Sequence, residues 1–211
     1  MTRTIYNTQI YTYTARIKKV DTLIDGKVYQ KIVSDTVYLL PENESSGYLG
    51  FIRENTTSKK VYYTNTDVGY PPFQFNTNEE RLLYDFSLEI GDTANVMTTE
   101  VCNNDGSGFT SLKVLNIDSL ELIDGSKRKR WFLEDINNGD EVYWVKGIGS
   151  QYGLYITSCP YTLIDAYKYS LLCYYEGETH LYQEPGETEC GVFWTSSTDE
   201  FNMKEKGIVV F

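Results

Sequence analysis

The sequence predicts an all-β fold: an antiparallel β-meander forming a barrel or a sandwich, with little helix. Three observations carry this expectation. Apolar and polar residues alternate with a period of two, Asp-Gly pairs sit between such segments, and no long stretch has helical period. The residues also suit a pleated, half-buried surface, with 19 Tyr in 211 positions and many Thr, Val and Ile.

Taken in chain order, "YTYTARI" puts Tyr11, Tyr13, Ala15 and Ile17 on one face and Thr12, Thr14 and Arg16 on the other. "LIDGK" (Leu23 to Lys27) then places Asp25-Gly26 where a type I′ hairpin turn needs positive φ at both centres. "YLGFIRENTTSKKVYY" reads as a further hairpin, and "NTNEERLL" as one turn of helix. In "LLYDFSLEI", Leu82, Tyr84, Phe86, Leu88 and Ile90 are expected to face a core, with Asp85, Ser87 and Glu89 facing water. "LEIGDT" and "INNGDEV" mark turns, and loop-like breaks fall at Asn103 to Phe109 and around "TSCPY". "LIDGS" (Leu122 to Ser126) repeats the Asp-Gly signal, and "YEGETHLY" is a further candidate hairpin. Near the end, "STDEFNMKEK" suits two turns of helix capped by Ser197 or Thr198. About twelve strands result.

This length fits a single all-β domain, residues 1–211, with no Pro/Ser/Gly linker to divide it. The two "LIDG" turns stand 122 − 23 = 99 positions apart, which hints at a weak duplication. "YLGFIRENTTSKKVYY" and "SLLCYYEGETHLYQ" would then be matching hairpins.

Composition bounds the partners. The chain is 41% hydrophobic and 23% charged, as in a soluble globular protein, and no apolar run approaches the ~18 residues of a membrane span. Lys plus Arg is 19 against 30 Asp plus Glu, a net charge of −11, which argues against nucleic acid as a partner. In the one basic cluster, "SKRKRW", alternation puts Lys127 and Lys129 on one strand face and Arg128 and Arg130 on the other.

Motifs for chemistry are tested in turn and fail. "YWVKGIGSQYGLY" (Tyr143 to Tyr155) holds Gly147, Gly149 and Gly153 after a strand-like run. The spacing is G-x-G-x-x-x-G, one residue too long for a dinucleotide fingerprint, and "LYITSCPY" follows where a helix is needed. The glycines are therefore expected in a bulge or tight turn, or making room for neighbouring rings. His180, the single histidine, has no G-x-S-x-G elbow to serve. Zinc ligation by Cys159, Cys173, His180 and Cys190 matches no short-knuckle spacing. Thirty acids offer no reasoned choice of a glycosidase pair. Asn43 and Asn55 head formal glycosylation triplets, which also arise by chance. No catalytic, cofactor-binding or metal-binding residue is assigned, and no cofactor is expected.

The four cysteines include no CxxC pair. Cys173 lies on the first arm of the "LLCYYEGETHLYQ" hairpin, and Pro185-Gly186 in "EPGETEC" turns the chain back toward it. A Cys173–Cys190 disulfide is expected, with Cys159 the alternative partner for either residue and Cys102 left unpaired. Buried free thiols are the rival state for a cytosolic protein.

The order of segments from about Gly47 to Gln183 resembles a group of uncharacterised exported proteins of Bacteroidetes. The resemblance rests on Leu83-Tyr84-Asp85-Phe86 with Gly91-Asp92-Thr93, on Arg128-Lys129-Arg130, and on Gly147-Ile148-Gly149-Ser150. It implies an all-β fold and a periplasmic, secreted or surface location, and it brings no catalytic residues. "MTRTIYNTQIYTYTARI" lacks the apolar core of a signal peptide, so export is inferred from the resemblance alone. The function expected is a non-enzymatic surface domain that binds protein or glycan. The rivals are a barrel-type carrier of a small apolar ligand and a glycan-active hydrolase.

Overall fold

The computed structural model describes residues 2–6, 9–35, 47–65, 79–98, 107–154, 156–159, 168–187 and 190. Fourteen strands run through them: β1 (Thr2–Tyr6), β2 (Gln9–Ile24), β3 (Lys27–Asp35), β4 (Gly47–Asn55), β5 (Lys60–Thr64), β6 (Arg81–Asp85) and β7 (Thr93–Met97) come first. β8 (Phe109–Glu121), β9 (Lys127–Asp135), β10 (Glu141–Val145), β11 (Gly149–Ser150), β12 (Lys168–Leu171), β13 (Cys173–Glu176) and β14 (Thr179–Gln183) follow. There is no helix among the described residues. The "STDEFNMKEK" segment and most of "NTNEERLL" lie outside them, and Glu79 to Leu83 run into a strand instead.

The strands make a seven-stranded sheet, β12-β1-β2-β3-β4-β5-β6, a five-stranded sheet, β11-β10-β9-β8-β7, and the β13-β14 pair. Every pairing is antiparallel, as hairpin connections require. The first sheet curls like half a barrel, and the two large sheets enclose one core. Ile17, Ile32, Ile52, Tyr63 and Tyr84 enter it from one side, Val96, Leu112, Trp131, Leu133 and Trp144 from the other. A second apolar cluster lies behind the five-stranded sheet, where Tyr174, Leu181 and Tyr182 cover Val145 and Ile148. β4 and β5 continue the first sheet, whereas among the described residues β13 and β14 pair only with each other, so the two hairpins of the duplication reading hold different places.

The two "LIDG" turns differ. Asp25 (φ 47°) and Gly26 (φ 75°) both lie in the left-handed region between the paired residues Ile24 and Lys27, the type I′ turn expected there. At the second turn only Gly125 has positive φ. Its N–H bonds the Leu122 carbonyl while the Leu122 N–H bonds the Ser126 carbonyl, a wider turn ending in a glycine bulge. Serine in place of lysine after the glycine explains part of this. The Asp124 carboxylate accepts both the N–H and the hydroxyl of Ser126, and Ile123 N–H is engaged by the Leu181 carbonyl.

"LLYDFSLEI" is also corrected. Tyr84, Phe86 and Leu88 are buried as expected, but Leu82 is only half-buried and Leu83 is fully buried. The cause is a bulge: Val61 faces Tyr84 and Tyr62 faces Leu82, leaving Leu83 as the extra residue. Asp85 is buried, not solvated, because its carboxylate pairs with Lys60 at 3.1 Å and accepts the Ser87 N–H. Ile90 is 62% exposed, since β6 ends at Asp85 and Glu89 to Asp92 form a turn. In "YTYTARI", Ala15 and Ile17 are buried on one face, while the side chains of Tyr11 and Tyr13 lie outside the described residues.

Glu80, just before β6, ties that strand to two others. Its carboxylate takes Lys27 Nζ at 2.6 Å, Tyr29 Oη at 2.5 Å and Arg53 Nε at 2.7 Å, and Arg53 also lies over the Tyr62 ring. Burial pushes the Glu80 carboxyl up, but the hydrogen bonds from Lys27, Tyr29 and Arg53 outweigh it and hold it below its ordinary value of 4.5. Tyr29 is pushed up to about 12 by burial and by the same carboxylate. A depressed carboxylate stabilises the fold above its unfolded pKa and loses that contribution as pH falls through its folded pKa. Glu80→Gln is therefore expected to cost about 1–3 kcal/mol at neutral pH. In urea melts the gap from wild type should shrink as pH drops below 4.5. A gap independent of pH would show that the charge is not what the network uses.

Candidate ligand-binding cleft

The cleft opens where the inward-facing residues stop being apolar. Along β9 one face carries Lys127, Lys129, Trp131 and Leu133 in succession, so buried rings give way to ammonium groups toward the hairpin end. Across from it, β3 runs from buried Ile32 to half-buried Gln30 and exposed Val28. Charged and amide side chains do not fill an inter-sheet gap, and a space of about 880 Å³ remains between the sheets. That is within the size range of small-molecule sites, roughly 300–1,000 Å³.

Its floor is apolar, made by Ile17, Ile52, Val61, Tyr84, Phe86 and Leu154. Tyr84 is fixed there: its hydroxyl donates to the Leu154 carbonyl at 2.7 Å and accepts the Ser150 N–H at 3.1 Å. Phe86 stacks on Tyr84 and leans on Trp131 at 5.1 Å between ring centroids. Lys129 Nζ sits 4.7 Å from the Trp131 ring centre, a cation at the border of the apolar floor.

Lys127, Arg128, Lys129 and Lys146 line the same wall, and Arg53, Asp21 and Glu54 line the opposite one. The arginines are neutralised: Arg128 pairs with Glu176 at 2.6 Å and Arg53 with Glu80 at 2.7 Å. No ion pair among the described residues engages Lys127, Lys129 or Lys146. Three lysine charges thus face a cleft of a chain whose net charge is −11. The face alternation expected for "SKRKRW" separates Lys127 and Lys129 from Arg130, while Arg128, whose guanidinium reaches Glu176 and Tyr174 behind the sheet, also touches the rim of the cleft. Arg130, on the back face, grips Asp118 with two bonds of 2.9 and 2.6 Å and stacks on Phe132.

The glycine segment serves this wall. Gly147 (φ 76°) lies in the turn joining β10 to β11, and at Gly149 (φ 120°) the chain passes very close to its neighbours. A Cβ there would stand 3.0 Å from the Gly153 carbonyl oxygen and 3.2 Å from the Tyr84 hydroxyl. The glycines accommodate a turn and a tyrosine, and a two-residue strand, not a helix, follows Gly147.

The sulfur residues lie elsewhere. Cys173 and Cys190 form a disulfide with Cα atoms 5.4 Å apart, the pairing that the hairpin geometry suggested. Cys159 is also disulfide-bonded, to a residue outside the described ones, so it does not compete for either. Cys102 lies outside the described residues. His180 stacks on Tyr175 at 4.6 Å, with Nε2 2.9 Å from the Tyr182 carbonyl and 3.7 Å from Cys190 Sγ. The structure therefore gathers three of the four residues weighed as zinc ligands and leaves Cys159 apart. Asn55 caps a turn, its Oδ1 accepting the Ser58 N–H, while Asn43 lies outside the described residues.

A cavity is part of the rival carrier reading, but the sequence does not assign its lining residues. The alternation of Lys127, Lys129 and Trp131 on one strand face was its one visible trace. Compared with protein-family models, curated proteins and solved structures, the chain has no match.

Proposed function

We propose that the chain is a non-enzymatic binding domain acting outside the cytoplasm, and that its ligand is a small molecule with an apolar body and a negative end. The observation that carries this reading is the inter-sheet cleft, with its apolar floor beside three lysines that form no ion pair among the described residues. An apolar body would lie along Val28 and Val61, the apolar lining residues that keep accessible surface, and its anionic group would meet Lys129 at the border of the floor. The disulfides favour an oxidising compartment, in line with the exported location that the resemblance implies. Among the described residues, Trp131, Trp144, Tyr63, Tyr84 and Tyr174 are buried and offer no ring face for stacking on a sugar. The surface reading, a protein or glycan partner, draws on Leu23 (72% exposed) and Val28 (52%), directly paired on the cleft-side face at the β2–β3 tip.

Calorimetry with decanoate, decanol and an acidic oligosaccharide tests the proposal. Decanoate is expected to bind and raise the melting temperature, decanol to bind more weakly, and Lys129→Glu to remove the preference for the acid. No binding by decanoate or decanol would overturn the small-ligand reading, and binding by the oligosaccharide alone would favour the surface-glycan one.

A further inference from the structure

We propose that the reduced chain holds a thiophilic d¹⁰ ion, of which zinc is the model case, through Cys173, His180 and Cys190. The site is independent of the cleft. β13 carries Cys173 at its start, β14 carries His180, and the chain returns to set Cys190 beside both. One ligand atom from each lies within 4.8 Å of the other two. Zinc binds thiolate sulfur at about 2.3 Å and imidazole nitrogen at about 2.0–2.1 Å, so a tetrahedral ion sets S···N edges near 3.6 Å and S···S edges near 3.8 Å. Cys190 Sγ already stands 3.7 Å from His180 Nε2. Once their bond is broken the sulfurs must part, and Cys173 Sγ, which lies within 4.8 Å of the other two ligand atoms, must settle at the same edge from Nε2.

Two thiolates with a neutral imidazole cancel the charge of a dication, which suits a site where Cys173 is fully buried and the other two ligands are half-buried. Tyr175 closes one side, its ring on His180 and its hydroxyl 3.0 Å from Cys190 Sγ. Three protein ligands leave a fourth position for water. The short-knuckle patterns sought in the sequence miss such a site, because a hairpin supplies the proximity that a knuckle supplies by spacing.

A dithiol reductant gives two electrons and two protons to the Cys173–Cys190 bond and becomes a disulfide itself. Ion binding then releases both thiol protons, and the His180 proton sits on Nδ1 so that Nε2 can ligate, at the cost of its contact with the Tyr182 carbonyl. In the reverse step a disulfide oxidant takes two electrons from the two thiolates and two protons from water to become a dithiol, the Cys173–Cys190 bond re-forms and the ion leaves. Disulfide and metal centre are thus alternative ties for the same hairpin.

Cobalt(II) reports the site by thiolate-to-metal charge transfer and by the strong visible bands of a tetrahedral centre, and zinc affinity follows from competition with a chromophoric chelator. Reduced wild type is expected to show these bands and oxidised wild type to show none. Because full reduction also frees the thiol of Cys159, Cys159→Ser is the control and is expected to keep the bands. His180→Asn, whose fold is checked by the melting of its oxidised form, is expected to lose zinc affinity by at least about tenfold, since even removal of an outer-shell partner costs 10–100-fold. Absent bands in reduced wild type, equal zinc affinity in His180→Asn, or loss of the bands in Cys159→Ser would each overturn the proposal.

Discussion

Trp144→Ala is expected to lower folding stability by about 3–5 kcal/mol, the largest effect of any single change considered. The side chain is wholly buried between the sheets. Its ring meets Tyr84 edge-on at 5.1 Å and Phe86 at 6.4 Å, and its Nε1–H donates to the Thr157 carbonyl at 2.8 Å. Alanine removes the ring from its two aromatic neighbours and also orphans a buried carbonyl. Trp144→Phe separates the two terms: it keeps most of the ring volume and leaves the carbonyl unsatisfied, for about 1–3 kcal/mol. Urea melts of both variants check this. A loss below about 1 kcal/mol for Trp144→Ala would mean that the sheets can close over the cavity and that the core is less tightly specified than its ring contacts indicate.

Cys190→Ala is the second large effect, about 3 kcal/mol from opening a loop of 17 positions in the unfolded chain. The comparison belongs between oxidised proteins, because a reductant would open the bond at Cys159 as well. Thermal melts of oxidised wild type and Cys190→Ala are expected to differ accordingly. Equal melting would show that this hairpin is held by Tyr174, Leu181 and Tyr182 against the back of the five-stranded sheet, with the bond adding nothing.

The all-β class was legible because alternation reports directly on half-buried strands, and Asp25-Gly26 because two successive positive-φ residues leave few choices. What escaped the sequence arose from contacts between distant segments. Leu83 turned inward because of its register with Val61 and Tyr62, which no local pattern encodes. The turn at Asp124-Gly125 took its form from Ser126 and from Leu181 across the fold. The cleft needs Ile17 and Ile52 from one sheet and Lys129 and Lys146 from the other, so neither half of it is a motif. The Cys173–Cys190 pairing was readable because one hairpin and one turn suffice to bring the two residues together.

The edge of the seven-stranded sheet bears on how the chain is made. β1 pairs with β2 on one side and with β12 on the other, so Thr2 lies opposite both Tyr13 and Leu171. A ribosome delivers β1 and β2 together, and a hairpin closes within microseconds. At 5–20 residues per second, β12 arrives on the order of ten seconds later. Throughout that interval the outer row of amides and carbonyls on β1 is unsatisfied, the kind of edge that templates pairing between chains. Nascent or prematurely terminated copies that stop before Lys168 keep the five-residue β1 as their open edge, whereas the finished sheet ends there on the four-residue β12 and offers other copies a shorter template.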